Sequence, residues 1–202
     1  NAKLKELLTK YVLPTKTFYT FKTAEGAVLN GYMVKPADFD STRRYPVLMT
    51  QYSGPDSQEV FDRWGIGWDE VLASEGYIVA CVDPRRTGAC GEEFRKMTYG
   101  QLGKYETIDQ VEAAKYLQSL SYVDSARIGI WGWSYGGFMT LTSLMKGNDV
   151  FKMGIAVAPV TNWRYYDSIY TERFMGLPQD NASGYDDNSP INHVDELKAK
   201  LL

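Results

Sequence analysis

The stretch Arg127-Ile128-Gly129-Ile130-Trp131-Gly132-Trp133-Ser134-Tyr135-Gly136-Gly137-Phe138 decides how the rest of the chain is read. A short apolar run enters Gly132-Trp133-Ser134-Tyr135-Gly136, a Gly-x-Ser-x-Gly pattern, and a helical pattern begins directly after it. In that arrangement a serine occupies a tight strand-to-helix turn with its hydroxyl exposed. Glycine is expected at 132 and 136 because neighbouring backbone and the new helix pass too close for side chains. The start of the helix offers unpaired N–H groups and the positive end of its dipole, which favour negative charge developing during acyl transfer. Ser134 is therefore a candidate nucleophile. The bare pattern also occurs as an ordinary glycine turn, so its strand and helix flanks matter.

Those flanks extend along the chain. Upstream, Tyr45 to Tyr52 and Tyr77 to Val82 are apolar, β-type runs, the first ended by Ser53-Gly54-Pro55 and the second preceded by a helical segment from Trp68 to Glu75 with Gly76 after it. From Glu106 to Leu120, Ile108, Val111, Ala114 and Leu117 recur at helical spacing with Glu112 and Lys115 outside them. Arg127 to Trp131 reads as strand, Tyr135 to Lys146 as helix and Met153 to Val157 as strand, while Asp195 to Leu202 begins a helical or strand-entry pattern. At the other end, Thr17 to Lys22 and Val28 to Val34 flank Ala24-Glu25-Gly26 as a β-hairpin, and Leu4, Leu7, Leu8 and Val12 mark an amphipathic lead-in over residues 1–16. A hairpin followed by alternating helices and buried strands predicts an α/β domain with a mostly parallel sheet and helices on both faces. Chemistry in such sheets collects at the carboxyl ends of the strands, where Tyr52, Asp83, Ser134 and Val160 all fall.

Composition sets outer limits. The 202 residues, 44% hydrophobic and 14% aromatic, suffice for one core and not for two large domains. A formal net charge of −3 gives no general attraction to nucleic acid or anionic membranes. No run of about 18 apolar residues occurs, as a membrane-crossing helix would need. The two cysteines, Cys81 and Cys90, have no disulfide-framework or zinc spacing, and the single histidine, His193, excludes a histidine-based metal cluster.

Beyond the elbow, Gln51-Tyr52-Ser53-Gly54-Pro55 and Tyr165-Tyr166-Asp167-Ser168-Ile169-Tyr170-Thr171-Glu172-Arg173-Phe174-Met175-Gly176 resemble the catalytic domain of the prolyl oligopeptidase family of serine peptidases. The second string is similar to its dipeptidyl peptidase IV-like branch, and the resemblance runs from about Phe18 to the end. It implies an α/β-hydrolase fold, no cofactor, a peptide substrate and an acyl-enzyme on Ser134. The oxyanion would be held by the Tyr135 backbone N–H and the Tyr52 hydroxyl, two donors typically worth about 3 kcal/mol each. Val160, Trp163, Tyr166 and Tyr170 would line the pocket for a proline or alanine before the cleaved bond. Tyr166 and Tyr170, four apart, are expected on one helix face; an aromatic core stripe would show the same spacing.

The resemblance also sets expectations about what these residues lack. It places the triad's aspartate and histidine beyond Leu202, and an N-terminal β-propeller outside the chain, so residues 17–202 would be a partial catalytic domain and inactive alone. His193 and the acids Asp167, Asp180, Asp186, Asp187 and Asp195 are then expected in structural or solvated roles. A sheet truncated at that edge predicts self-association, and the resemblance is compatible with a periplasmic or cell-envelope address. Asp83-Pro84-Arg85-Arg86-Thr87-Gly88 departs from the family's Asp-Gly-Arg-Gly-Thr-Gly, with Pro84 and Arg86 in glycine positions where a positive φ would be costly. Alternatives with the same elbow are an acylaminoacyl-peptidase, a carboxylesterase or a non-catalytic binding module.

Overall fold

The computed structural model describes residues 1–88, 90–147 and 149–202. Strands β1 (Thr15–Lys22), β2 (Val28–Lys35), β3 (Tyr45–Thr50), β4 (Ile78–Asp83), β5 (Val123–Trp133), β6 (Met153–Val157) and β7 (Lys200–Leu201) form one sheet in the order β1-β2-β4-β3-β5-β6-β7. The hairpin β1–β2 is antiparallel and docks antiparallel on β4, and every pair from β4 to β7 is parallel. Helices are α1 (Ala2–Leu8), α2 (Trp68–Ser74), α3 (Glu92–Lys96), α4 (Lys104–Gln118), α5 (Tyr135–Lys146), α6 (Ser168–Met175) and α7 (Ala182–Asp186), with 3-10 turns at Trp163–Tyr165 and Pro190–Glu196. None of these helices is long and apolar enough to cross a membrane.

β4 is buried along its whole length, and its side chains divide by the two-residue period of a strand. Ile78, Ala80 and Val82 join Val47, Met49, Ile128 and Ile130 beneath Ala113, Ala114 and Leu117 of α4 and Leu144 of α5. Val79 and Cys81 face the other way, with Tyr32 and Val34, against Ala73 of α2. Each such aliphatic side chain contributes roughly 1.5–3 kcal/mol by leaving water, which is why a continuous apolar run becomes a central strand. Over β3, β5 and β6 the α2 side is less covered: Leu48, Trp131 and Ile155 are only half-buried there. A third cluster, Leu102, Tyr135, Phe138, Met139, Trp163, Met175 and Tyr185, fastens the segment after β6 onto α5.

Several sequence expectations shift. The lead-in is helical only to Leu8 and fully buries no residue, with Leu4 and Leu7 exposed and Leu8 half-buried. β5 begins four residues before Arg127, because Val123 already pairs with Tyr45. The final residues form the short strand β7 on β6. The largest difference is α4, whose buried face carries Glu106, Thr107, Asp109 and Gln110 as well as Ala113, Ala114 and Leu117, while Ile108 and Val111 are half-buried. Its first half crosses the carboxyl edge of the sheet, where loop ends need polar partners, so the apolar stripe marks the inward side only in the second half, at Ala114 and Leu117.

Candidate active site

The elbow is built by close approach. β5 ends at Trp133, Ser134 holds φ 58° and ψ −114°, and α5 begins at Tyr135. That backbone conformation is sparsely populated and costs about 1–3 kcal/mol, so surrounding contacts must impose it. The Ser134 N–H donates to the Val157 carbonyl at 2.9 Å, tying the turn to β6, and the Phe138 N–H closes the first helical turn on the Ser134 carbonyl at 3.0 Å. A Cβ on Gly136 would stand 2.5 Å from the Gln51 carbonyl oxygen, and one on Gly132 2.6 Å from the Gly136 backbone. The steric reason expected for both glycines is thus present. The Tyr135 N–H, at the first helical position, has no intrahelical acceptor.

Tyr52 stands beside this turn, two residues beyond the end of β3. Its neighbour Gln51 is buried and donates through Nε2 to the Gly136 carbonyl at 2.8 Å, locking the strand exit to the elbow. Gly54 packs beneath the Tyr52 ring, so closely that a Cβ there would lie 2.4 Å from the ring edge. The Tyr52 and Tyr135 rings are 6.1 Å apart between centroids. Partial burial, with Tyr166 and Glu59 nearby, raises the Tyr52 phenol above its ordinary value, while a hydrogen-bonding influence of the Ser134 side chain acts in the opposite sense. Tyr52 is therefore a protonated donor at neutral pH, held next to Ser134.

Under the elbow lies a polar network that the apolar periodicity of α4 concealed. The Tyr135 hydroxyl donates to Glu106 Oε1 at 2.8 Å, and the Gly103 N–H donates to Glu106 Oε2 at 3.1 Å. Gln110 Nε2 donates to Ser53 Oγ at 3.1 Å and to the Val82 carbonyl at 3.0 Å. Asp83 accepts the Glu59 and Val60 N–H groups at 2.9 and 3.0 Å, holding the long loop after β3. The spacing of Glu106, Gln110, Ala113 and Leu117 is itself one helix face, the signal by which these polar residues could have been found.

Glu106 makes stability depend on pH. Full burial pushes its carboxyl up to about 7, against the pull of its hydrogen bonds and the Arg86 charge. In the unfolded chain it titrates near the ordinary glutamate value of about 4.3. The folded state thus holds this proton more tightly, so the group's relative stabilisation is complete below about pH 4 and is lost as pH rises through about 7, a change of roughly 4 kcal/mol. Glu106→Gln, which keeps the shape and stays neutral, is expected to lose less unfolding free energy than the parent between about pH 5 and about pH 8. Equal losses in denaturant titrations at the two pH values would contradict the assignment.

The residues of the aromatic segment pack together as one cluster. Trp163 stacks on Tyr170 at 6.2 Å, Tyr166 meets Trp163 edge-on at 6.1 Å, and Tyr166 and Tyr170 meet edge-on at 5.5 Å. Val160 packs against the same cluster. Trp163, however, is only 1% exposed and lies beneath the others, whereas Tyr166, at 44%, and half-buried Tyr170 present surface. Tyr166 and Tyr170 do not share a helix face: Tyr166 is extended after the 3-10 turn, and Tyr170 lies in α6. Asp167 between them caps α6, accepting the Tyr170 N–H at 2.8 Å, and this reversal brings the rings together.

His193 is engaged elsewhere. Its Nδ1 lies 2.9 Å from Glu196 Oε1, and its Nε2 lies 2.8 Å from the Asp187 carbonyl, which also accepts Lys146 Nζ at the far end of α5 from Ser134. Asp186 forms a two-bond pair with Arg164, at 2.6 and 2.8 Å. In the loop after β4, Arg86 does take the costly backbone, with φ 92°, whereas Pro84 needs no positive φ. Arg85 is anchored by Asp109, with Nε 3.0 Å and Nη2 2.7 Å from Oδ1, and by Glu25 at 2.5 Å. Cys81 and Cys90 are both free, the first buried and the second exposed.

A serine at a strand–turn–helix apex, on the carboxyl edge of a mostly parallel sheet, defines an α/β-hydrolase domain. The chain belongs to the prolyl oligopeptidase family, whose model matches residues 64–202. It is 49% identical over 203 residues to a protein of Podospora anserina named probable dipeptidyl-aminopeptidase B, covering 100% of this chain and 22% of that one. A protein of the same name from Metarhizium robertsii is 46% identical over 194 residues, covering 95% of this chain and 21% of that one. The chain therefore spans about a fifth of the length of these curated relatives. Among solved structures, the dipeptidyl peptidase 4 of Porphyromonas gingivalis superimposes with a TM-score of 0.95 at 57% identity, over 100% of this chain and 29% of that one. These similarities lie in the dipeptidyl peptidase IV-like branch.

Proposed function

We propose that residues 17–202 are part of the catalytic domain of a serine peptidase that releases N-terminal dipeptides with proline or alanine before the cleaved bond. The observation that carries this reading is the convergence of Ser134, Tyr52 and the Tyr166–Tyr170 rings on one sheet edge, in a chain so similar to enzymes named for dipeptide release. Ser134 Oγ bonds to the peptide carbonyl carbon as its proton passes to a base. The tetrahedral oxygen takes hydrogen bonds from the Tyr135 N–H and the Tyr52 hydroxyl; its collapse breaks the C–N bond, and the amine leaves with the proton. Water then releases the dipeptide and restores the serine. A flat pyrrolidine ring suits a surface of Tyr166, Tyr170 and Val160 over Trp163, because it packs without losing rotamer freedom.

His193 is held away from Ser134, so on this reading the base and its orienting carboxylate come from chain outside these 202 residues. The half-covered α2-side face over β3, β5 and β6 supports further chain packing there. The edge strand β1, with Phe18 exposed, favours self-association, which light scattering at high concentration tests; a monodisperse monomer would count against it.

The longer protein, assayed on an unblocked Ala-Pro amide, its N-acetylated counterpart and a simple ester, is expected to favour the unblocked dipeptide by at least about 100-fold in kcat/KM, or about 2.7 kcal/mol. Preference for the blocked amide or the ester would replace this reading by an acylaminoacyl-peptidase or a carboxylesterase. Turnover of none would favour a binding module. The 202 residues alone are expected to show little turnover of any of them.

A further inference from the structure

Two adjacent arginines after β4 are nearly equally buried and very differently partnered. Arg85, 3% exposed, is paired with Asp109 and Glu25. Arg86, 5% exposed, has one side-chain hydrogen bond among the described residues, from Nη1 to Thr98 Oγ1, and its guanidinium lies 4.4 Å from the centre of the Phe174 ring. Its Nε is buried with no partner. An arginine has five N–H donors, and a buried guanidinium ordinarily has an anion or several acceptors. Glu106 is close enough to feel its charge but is committed to Tyr135 and Gly103.

Arg86 also lines a cavity of about 170 Å³, with Arg95, Lys96, Tyr99, Arg173, Phe174 and Asp56 around it. Four of those seven side chains are cationic. The acids near them are few: Asp56 lies 3.9 Å from Arg95, both half exposed, and Glu92 pairs with Lys96 on the surface. The volume is below that of a drug-sized pocket and suits one side chain. The φ of 92° at Arg86 is a conformation that glycine adopts freely and other residues at a cost, so this arginine is held in place against its backbone preference.

We propose that this cavity is a carboxylate-binding site, in which Arg86, backed by Arg95, Lys96 and Arg173, receives an acidic side chain presented by a peptide. Phe174 forms one wall and also packs on Tyr170, 5.0 Å between ring centres, so the site adjoins the aromatic surface near Ser134. Arginine suits the role because its planar fork can grip both carboxylate oxygens. The site stands independently of any chemistry at Ser134.

The test is direct binding, read by the NMR signal of the Arg86 Nε–H group as N-acetylglutamate amide is added. A saturable shift is expected with this probe and none with N-acetylglutamine amide. Arg86→Gly, which relieves the backbone cost at φ 92°, is expected to keep the fold by melting temperature and to bind at least about tenfold more weakly; Arg86→Lys should fall between. An equal response to the glutamine probe, no response to either, or undiminished binding by a folded Arg86→Gly would overturn the proposal. Acetate binding as tightly as the glutamate probe would overturn the assignment to a side chain. Because no readout uses turnover, a protein without peptidase activity can still pass or fail.

Discussion

Alanine in place of Ser134 is expected to lower kcat/KM of the longer protein on an Ala-Pro amide by about 10⁶-fold, roughly 8 kcal/mol of transition-state stabilisation. The effect is large because nothing nearby can substitute as the nucleophile. Trp133 and Tyr135 flank the apex, the first pointing to solvent and the second buried on Glu106. The fold should tolerate the change: Ser134 contributes its backbone to the turn, through bonds to Val157 and from Phe138, and these do not need the hydroxyl. Stopped assays with a burst of released amine give the clearest reading, since the parent should show acyl-enzyme formation and the variant none. A variant retaining a tenth of the activity with unchanged stability would remove Ser134 from the chemistry.

Phenylalanine in place of Tyr52 is expected to lower kcat by about 10²–10³-fold, with KM little changed, because the lost hydrogen bond forms only as charge develops on the oxygen. The ring should stay where it is, since Gly54 beneath it and Tyr135 beside it position the ring and not the hydroxyl. If KM rose and kcat held, Tyr52 would be a substrate-packing residue. The two substitutions therefore separate nucleophile from oxyanion donor: one should abolish the burst, and the other should slow it while leaving its amplitude.

How much of this was legible beforehand follows from the range of the forces involved. The hairpin, the buried strand β4, the helix α5 and the elbow are recorded in local patterns, because two-residue and helical periods reflect which side of an element meets the core. Resemblance added Tyr52 and the aromatic segment. It did not separate Trp163 from Tyr166 and Tyr170, because exposure depends on how the chain after β6 folds back over α5. α4 misled most: its apolar spacing pointed to Ile108 and Val111, while Glu106, Asp109 and Gln110 turned inward to partners 24 to 57 residues away in sequence.

The sequence by itself determined the alternating α/β architecture, the place of Ser134 at the end of its strand and the steric need for Gly132 and Gly136, all of which follow from contacts along or directly beside the local chain. Only the tertiary structure decided that Glu106 is sealed beneath Tyr135, that His193 is bound at the far end of α5 from Ser134, and that Arg86 faces a cationic cavity without a full set of side-chain partners among the described residues. Burial and charge pairing at those positions are set by residues far apart in the chain, and a pattern along one strand or helix carries no record of them.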